Sequence, residues 1–120
     1  MSYTPPDRDY LVDILGAAAE IQEFIGGMTK ADFENDARTQ KAVIKDLEII
    51  GEAAKRLSPA ARGQTADIAW QAVAGMRDIL IHAYHRIDLD EVWTAATIDV
   101  PALIARLRPL VDDDNASHSV

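Results

Sequence analysis

The chain has 120 residues, 48% of them apolar, which suits one folded domain with its own core and excludes intrinsic disorder. It has no cysteine, which excludes disulfides and thiolate metal sites and fits a reducing cytoplasm. The formal net charge of −8 argues against broad, sequence-independent binding of a polyanion, so any nucleic-acid chemistry has to use a local basic cleft in an acidic body.

In chain order, nearly everything reads as helix. The start, Met1-Ser2-Tyr3-Thr4-Pro5-Pro6-Asp7, carries neither the basic nor the apolar region of a signal peptide. Thr4 is placed to cap a first helix with Pro5, Pro6 and Asp7 in its first turn. Leu11, Ile14, Leu15, Ala18, Ile21 and Ile25 recur at helical spacing, and Gly26-Gly27 ends the run. Thr29 to Asp32 has the form of a capping box opening a short turn around Phe33. A long helix is predicted from about Ala37 to Leu57. Its buried stripe is Ala42 or Val43, Leu47, Ile50, Ala54 and Leu57, and Ser58-Pro59 stops it.

Pro59 to Asp67 reads as a loop, followed by a helix from about Asp67 to Tyr84 with Ile68, Val73, Met76 and Leu80 toward the core. Asp88 caps a helix from Leu89 to about Ile98, and Asp99 with Pro101 restarts a last helix through Leu103, Ile104, Leu107, Leu110 and Val111. There is no strand pattern, repeat, linker or apolar run long enough for a membrane helix. The predicted fold is all-α: an up-and-down bundle of four main helices plus short ones. Residues 1–111 form the domain, and residues 112–120 are an acidic, polar, disordered tail.

The chemistry concentrates in Arg77-Asp78-Ile79-Leu80-Ile81-His82-Ala83-Tyr84, which has the form R-x4-H-x-Y. It offers a phosphate binder, a proton carrier near neutral pH and a modifiable hydroxyl. On a helix Arg77 and Tyr84 fall within about 20° of each other, and Asp78, His82 and His85 share an adjacent face. Asp78 and His82 are an i, i+4 pair, so the carboxylate can fix the imidazole tautomer and leave its other nitrogen to move a proton. This suits metal-free RNA cleavage, with His82 in proton transfer and Arg77 stabilising the phosphorane-like transition state. Two histidines serve such chemistry better than one, which predicts a symmetric dimer that brings two copies of His82 to one cleft.

Structural readings stand beside these. A bare R-x4-H pattern arises by chance, and a lone Arg or His on a helix commonly serves surface pairing. His118 reads as a spectator, as does His85 taken alone. Glu48 and Glu52 share a helix face, but Glu-x-x-His pairs are absent, so both read as solvated or cap-pairing carboxylates and no metal or other cofactor is expected. Trp70 and Trp93 read as core or dimer-interface residues, and Gly51 inside a helix points to close packing against another helix. Lys55, Arg56, Arg62, Arg77 and Arg86 are cations that folding could gather.

Two segments together resemble the HepT branch of the HEPN superfamily of small helical ribonucleases. One runs from Gln40 through Ile50-Gly51-Glu52-Ala53-Ala54-Lys55, the other from Gly75-Met76-Arg77 through Arg86-Ile87-Asp88 to Trp93, in that family's order. The resemblance spans roughly Asp7 to Leu110, and two features depart from the pattern: Ala69 precedes Trp70 where the family often has proline, and the chain is acidic. It implies a small, usually dimeric helical bundle that acts on RNA, not DNA, as a metal-independent endoribonuclease toxin in the cytoplasm. Carried over, Arg77 and His82 match the catalytic pair and Asp78 the polar residue after the arginine. Tyr84 matches the tyrosine to which an MntA-type nucleotidyltransferase partner adds AMP. His85 and Arg86 are auxiliary candidates for RNA or nucleotide contact. The alternatives are a non-catalytic, nucleotide-binding accessory subunit of the transferase, or the antitoxin of the pair.

Overall fold

The sequence signals that start helices act through real hydrogen bonds. The computed structural model describes residues 3–82 and 88–118. Helix α1 is Pro5–Ile25, and the Asp7 N–H donates to the Thr4 hydroxyl that caps it. Gly26 ends the helix and Gly27 follows at φ 78°, a conformation that residues with a Cβ avoid. Helix α2, Lys30–Glu34, opens on the predicted capping box: Asp32 N–H donates to Thr29 Oγ1 at 3.1 Å and Thr29 N–H to Asp32 Oδ2 at 3.0 Å. Helix α3, Ala37–Arg56, starts at Asp36, whose carboxylate accepts from Thr39 N–H at 3.0 Å.

The next segment departs from the expected loop. Residues Pro59–Gln64 form a short helix, α4, because the Ser58 hydroxyl accepts from Ala61 N–H at 3.1 Å and Pro59 occupies the first turn, where its missing N–H costs nothing. Helix α5, Trp70–His82, starts later than Asp67. Asp67 pairs with Arg106 at 3.0 Å, and the turn before α5 is closed by Thr65 O accepting from Ile68 N–H. Asp88 caps α6, Leu89–Thr94, through Asp90 and Glu91 N–H, as predicted.

The expected break near Asp99 does not occur. A π-helical turn, Ala95–Asp99, joins α6 directly to α7, Val100–His118. Pro101 has no N–H to donate back along the helix, and its ring crowds the carbonyl one turn earlier; a wider turn at this point relieves both. Nor does the chain leave the helix at Asp112. Helix α7 continues to His118, and Asp114 is fully buried, accepting from Tyr3 N–H at 3.1 Å and pairing with Arg8 at 3.2 Å.

Among the described residues every regular element is helical and there is no strand. Helix α3 packs along both α1 and α5, and α7 lies on α1. The core holds Leu11, Ile14, Ile21, Phe33, Leu47, Ile50 and Leu107 almost without exposure, at about 25 cal/mol per Å² of apolar surface removed from water. At the open choice in α3, Val43 is buried and Ala42 only half-buried. Leu15 and Ile25 lie half-buried at the core's edge. Trp70 is a core residue whose indole N–H donates to Thr65 Oγ1 at 2.6 Å, while Trp93 is half-buried against Phe33, ring centres 5.3 Å apart.

Candidate active site

The position of Arg77 is set by the crossing of α3 and α5. Gly51 is buried inside α3, and a Cβ there would lie 2.6 Å from Arg77 Cβ and 3.0 Å from Arg77 N. Only glycine lets the α5 backbone come this close. The helix that carries Arg77 therefore rests directly on the α3 backbone, at a propensity cost of about 1 kcal/mol.

One residue later on α3, Glu52 reaches the arginine. Its Oε2 pairs with Arg77 Nε at 2.9 Å and its Oε1 with Arg56 Nη2 at 3.1 Å. Oε2 is itself withdrawn from solvent, while the Arg77 side chain keeps 34% exposure and that of Arg56 59%. One carboxylate thus bridges two guanidinium groups from two helices. The three groups sum to a single positive charge in a protein whose net charge is −8.

These side chains border a cleft of about 300 Å³ between α1, α3 and α5. Tyr10 and Asp13 line it from α1, Lys45, Glu48, Glu52 and Arg56 from α3, and Arg77 from α5. The cleft is within the size range of small-ligand sites and mixes both signs of charge.

The predicted site residues fall unevenly on this frame. Arg77 stands at the cleft. Asp78 and His82 occupy the same helix one turn apart, and their side chains lie outside the described residues. Tyr84, His85 and Arg86 also lie outside the described residues. Of the cations expected to gather, Arg56 and Arg77 meet at Glu52. Arg62 is used elsewhere, donating to Ala54 O at 2.9 Å and Lys55 O at 3.2 Å to close the C-terminus of α3. The sequence reading missed the bridging role of Glu52 and the presence of Tyr10 and Lys45. The Glu52–Arg56 spacing of four was the available signal for half of the bridge; its cross-helix half had none except Gly51.

Besides Asp114, two buried acids lie elsewhere. Asp7 joins the start of α1 to the cap of α4: Ser58 N–H donates to its Oδ1 at 2.9 Å, and the Ser58 and Thr4 hydroxyls to its Oδ2 at 2.6 and 3.0 Å. Burial pushes its pKa up, but these bonds outweigh burial and hold it below the usual carboxylate range. Asp46 on α3 is buried, with Glu20 of α1 as its acidic neighbour. Burial first, then that neighbouring acid, push it up to about 7.

The fold and site define a small all-helical bundle with a half-buried arginine seated where α5 crosses α3. Comparison with known proteins narrows it. Residues 14–110 match the sequence profile described as "Ribonuclease HepT-like". A "Probable ribonuclease HepT" of Thermococcus cleftensis is 41% identical over 103 residues, which cover 86% of this chain and 94% of the relative. A "Putative RNase" of Methanocaldococcus jannaschii is 37% identical over 106 residues, covering 88% of each chain. Another "Putative RNase", from Caldanaerobacter subterraneus subsp. tengcongensis, is 32% identical over 107 residues, covering 89% of this chain and 96% of the relative. No solved structure matches the chain significantly. The chain belongs to the HepT-like ribonuclease family of the HEPN superfamily.

Proposed function

We propose that this protein is a metal-independent endoribonuclease and the toxin of a type VII-like toxin–antitoxin pair, working as a homodimer in the cytoplasm. The observation that carries the reading is Arg77, fixed by Gly51 and Glu52 at the mouth of a cleft in a chain of this family. Among the described residues, no helix is long and apolar enough to cross a membrane.

In this mechanism Arg77 binds the scissile phosphate and stabilises the extra charge of the phosphorane-like transition state. His82 moves the proton, taking it from the 2′-hydroxyl or giving it to the departing 5′-oxygen, and Asp78 holds the ring in the required tautomer. Five residues along an α-helix turn the chain by about 140°, so positions 77 and 82 fall on different faces of α5. A two-fold mate supplies the second histidine to the same groove. Tyr84 accepts AMP from ATP on an MntA-type nucleotidyltransferase: its oxygen bonds to the α-phosphorus, its proton is lost, and pyrophosphate leaves. The added phosphate and nucleoside repel and obstruct the RNA backbone.

The acidic body is less of an obstacle to a second reading, in which the chain binds a nucleotide as the non-catalytic partner of the transferase or is the antitoxin itself. Growth tests separate the two. Expression of this chain alone arrests growth in the first reading, and co-expression of the transferase relieves the arrest of wild type but not of Tyr84→Phe. Harmless expression of this chain, with toxicity from the transferase alone, contradicts it.

A further inference from the structure

The bridge formed by Glu52 holds more than the arginine of the R-x4-H motif. Arg56 comes to the same carboxylate from the last turn of α3, is 59% exposed in its side chain, and lines the same cleft as Arg77. A guanidinium presents its N–H groups as a planar fork that suits phosphate oxygens. Glu52 pairs with Arg77 at Nε and with Arg56 at Nη2, and a guanidinium has five N–H donors, more than one carboxylate contact uses. Two forks joined through one carboxylate where α5 crosses α3 are suited to neighbouring phosphates of one strand.

Resting on the ribonuclease reading of this cleft, we propose that Arg56 and Arg77, bridged by Glu52, form a two-phosphate seat for single-stranded RNA. Arg77 takes the scissile phosphate and Arg56 a neighbouring one. Glu52 is a positioning residue: it touches no substrate and sets the spacing of the two forks. This placement also answers the charge problem. In a chain of net charge −8, affinity for RNA depends on a few aimed contacts instead of a broad basic face.

The experiment measures RNA affinity against salt, using a mixed-sequence single-stranded RNA and a His82→Ala background in which the strand survives. Arg56→Gln is compared with Arg108→Gln, an equal change in charge at an exposed position on α7 outside the cleft lining. Arg56→Gln is expected to weaken binding about tenfold, alike for all sequences, and to lower the salt slope by about 0.7, the value of one single-strand phosphate contact. Arg108→Gln moves neither. Arg56→Lys keeps the salt slope and loses part of the affinity, because the charge remains and the fork does not. Glu52→Gln removes a negative charge from the cleft, so simple charge attraction predicts tighter binding, whereas a seat that has lost its spacer binds more weakly.

Equal behaviour of Arg56→Gln and Arg108→Gln overturns the seat, and so does tighter binding by Glu52→Gln. If wild type with unmodified Tyr84 cleaves RNA while these variants show no effect, only the seat falls. If wild type neither cleaves nor binds RNA, the ribonuclease reading falls with it. Circular dichroism on every variant confirms that the helices are retained.

Discussion

Gly51 and Arg77 are in backbone contact: a Cβ on Gly51 would stand 2.6 Å from Arg77 Cβ. Gly51→Ala therefore has to push α5 off α3. The overpacking costs about 1–3 kcal/mol, offset by about 1 kcal/mol of improved helix propensity. The expected result is a lower melting temperature and a fall in kcat for RNA cleavage, because the arginine moves with its helix. Unchanged melting and unchanged cleavage in Gly51→Ala would show that this contact does not place Arg77.

Asp7 ties α1 to the cap of α4, and its sign with pH follows from its lowered pKa. The stability it contributes is complete above the unfolded value of about 3.9 and is lost as pH falls through the lower folded value. Asp7→Asn is expected to cost about 1–3 kcal/mol at neutral pH, since charged acceptors to the Ser58 N–H and hydroxyl are lost. It also flattens the acid side of the stability curve. Urea unfolding at neutral and acid pH measures both effects.

Asp46 behaves in the opposite sense. Its carboxyl is raised to about 7, so the unfolded chain gives up the proton first and the fold loses stability as pH rises from about 4 to about 7. Above that range both states are ionised and the loss is constant. Asp46→Asn sets an uncharged hydrogen-bond donor beside Glu20 and removes this penalty. Its melting temperature should exceed that of wild type at neutral pH, with a gap that narrows toward acid pH. An equal gap at all pH values would contradict the assignment.

Trp70 and Thr65 share a buried hydrogen bond of 2.6 Å just before α5. Trp70→Phe leaves the Thr65 oxygen without that donor and trims the packing, for a loss of about 1–3 kcal/mol. Chemical denaturation tests this, and a stability equal to wild type would contradict it.

Much of the fold was legible because its signals are local. Thr4, the Thr29–Asp32 box and Asp88 cap helices through residues two or three positions away, and the apolar stripe of α1 needs only its own spacing. The misreadings came where a distant partner decided the outcome. Asp67 pairs with Arg106 instead of opening α5, and Asp114 is drawn into the fold by Tyr3 and Arg8 instead of ending a tail. Pro59 stops α3 as read, but it also opens a short helix in what was taken for loop, and near Pro101 the helix widens into a π turn and runs on where a break and restart were expected. At the candidate site, the motif and the meaning of Gly51 could be read from the chain. The carboxylate that joins Arg56 to Arg77 could not, because its second arginine arrives on another helix.

The central claim is that His82 drives cleavage of RNA without a metal ion. The direct measurement is digestion of total cellular RNA by purified protein in EDTA, beside His82→Ala, with the intact mass of each sample recorded to establish that Tyr84 carries no AMP. The account predicts cleavage by wild type and none by the variant, whose helical spectrum is unchanged. Cleavage by His82→Ala at the wild-type rate, or no cleavage by unmodified wild type, would contradict it.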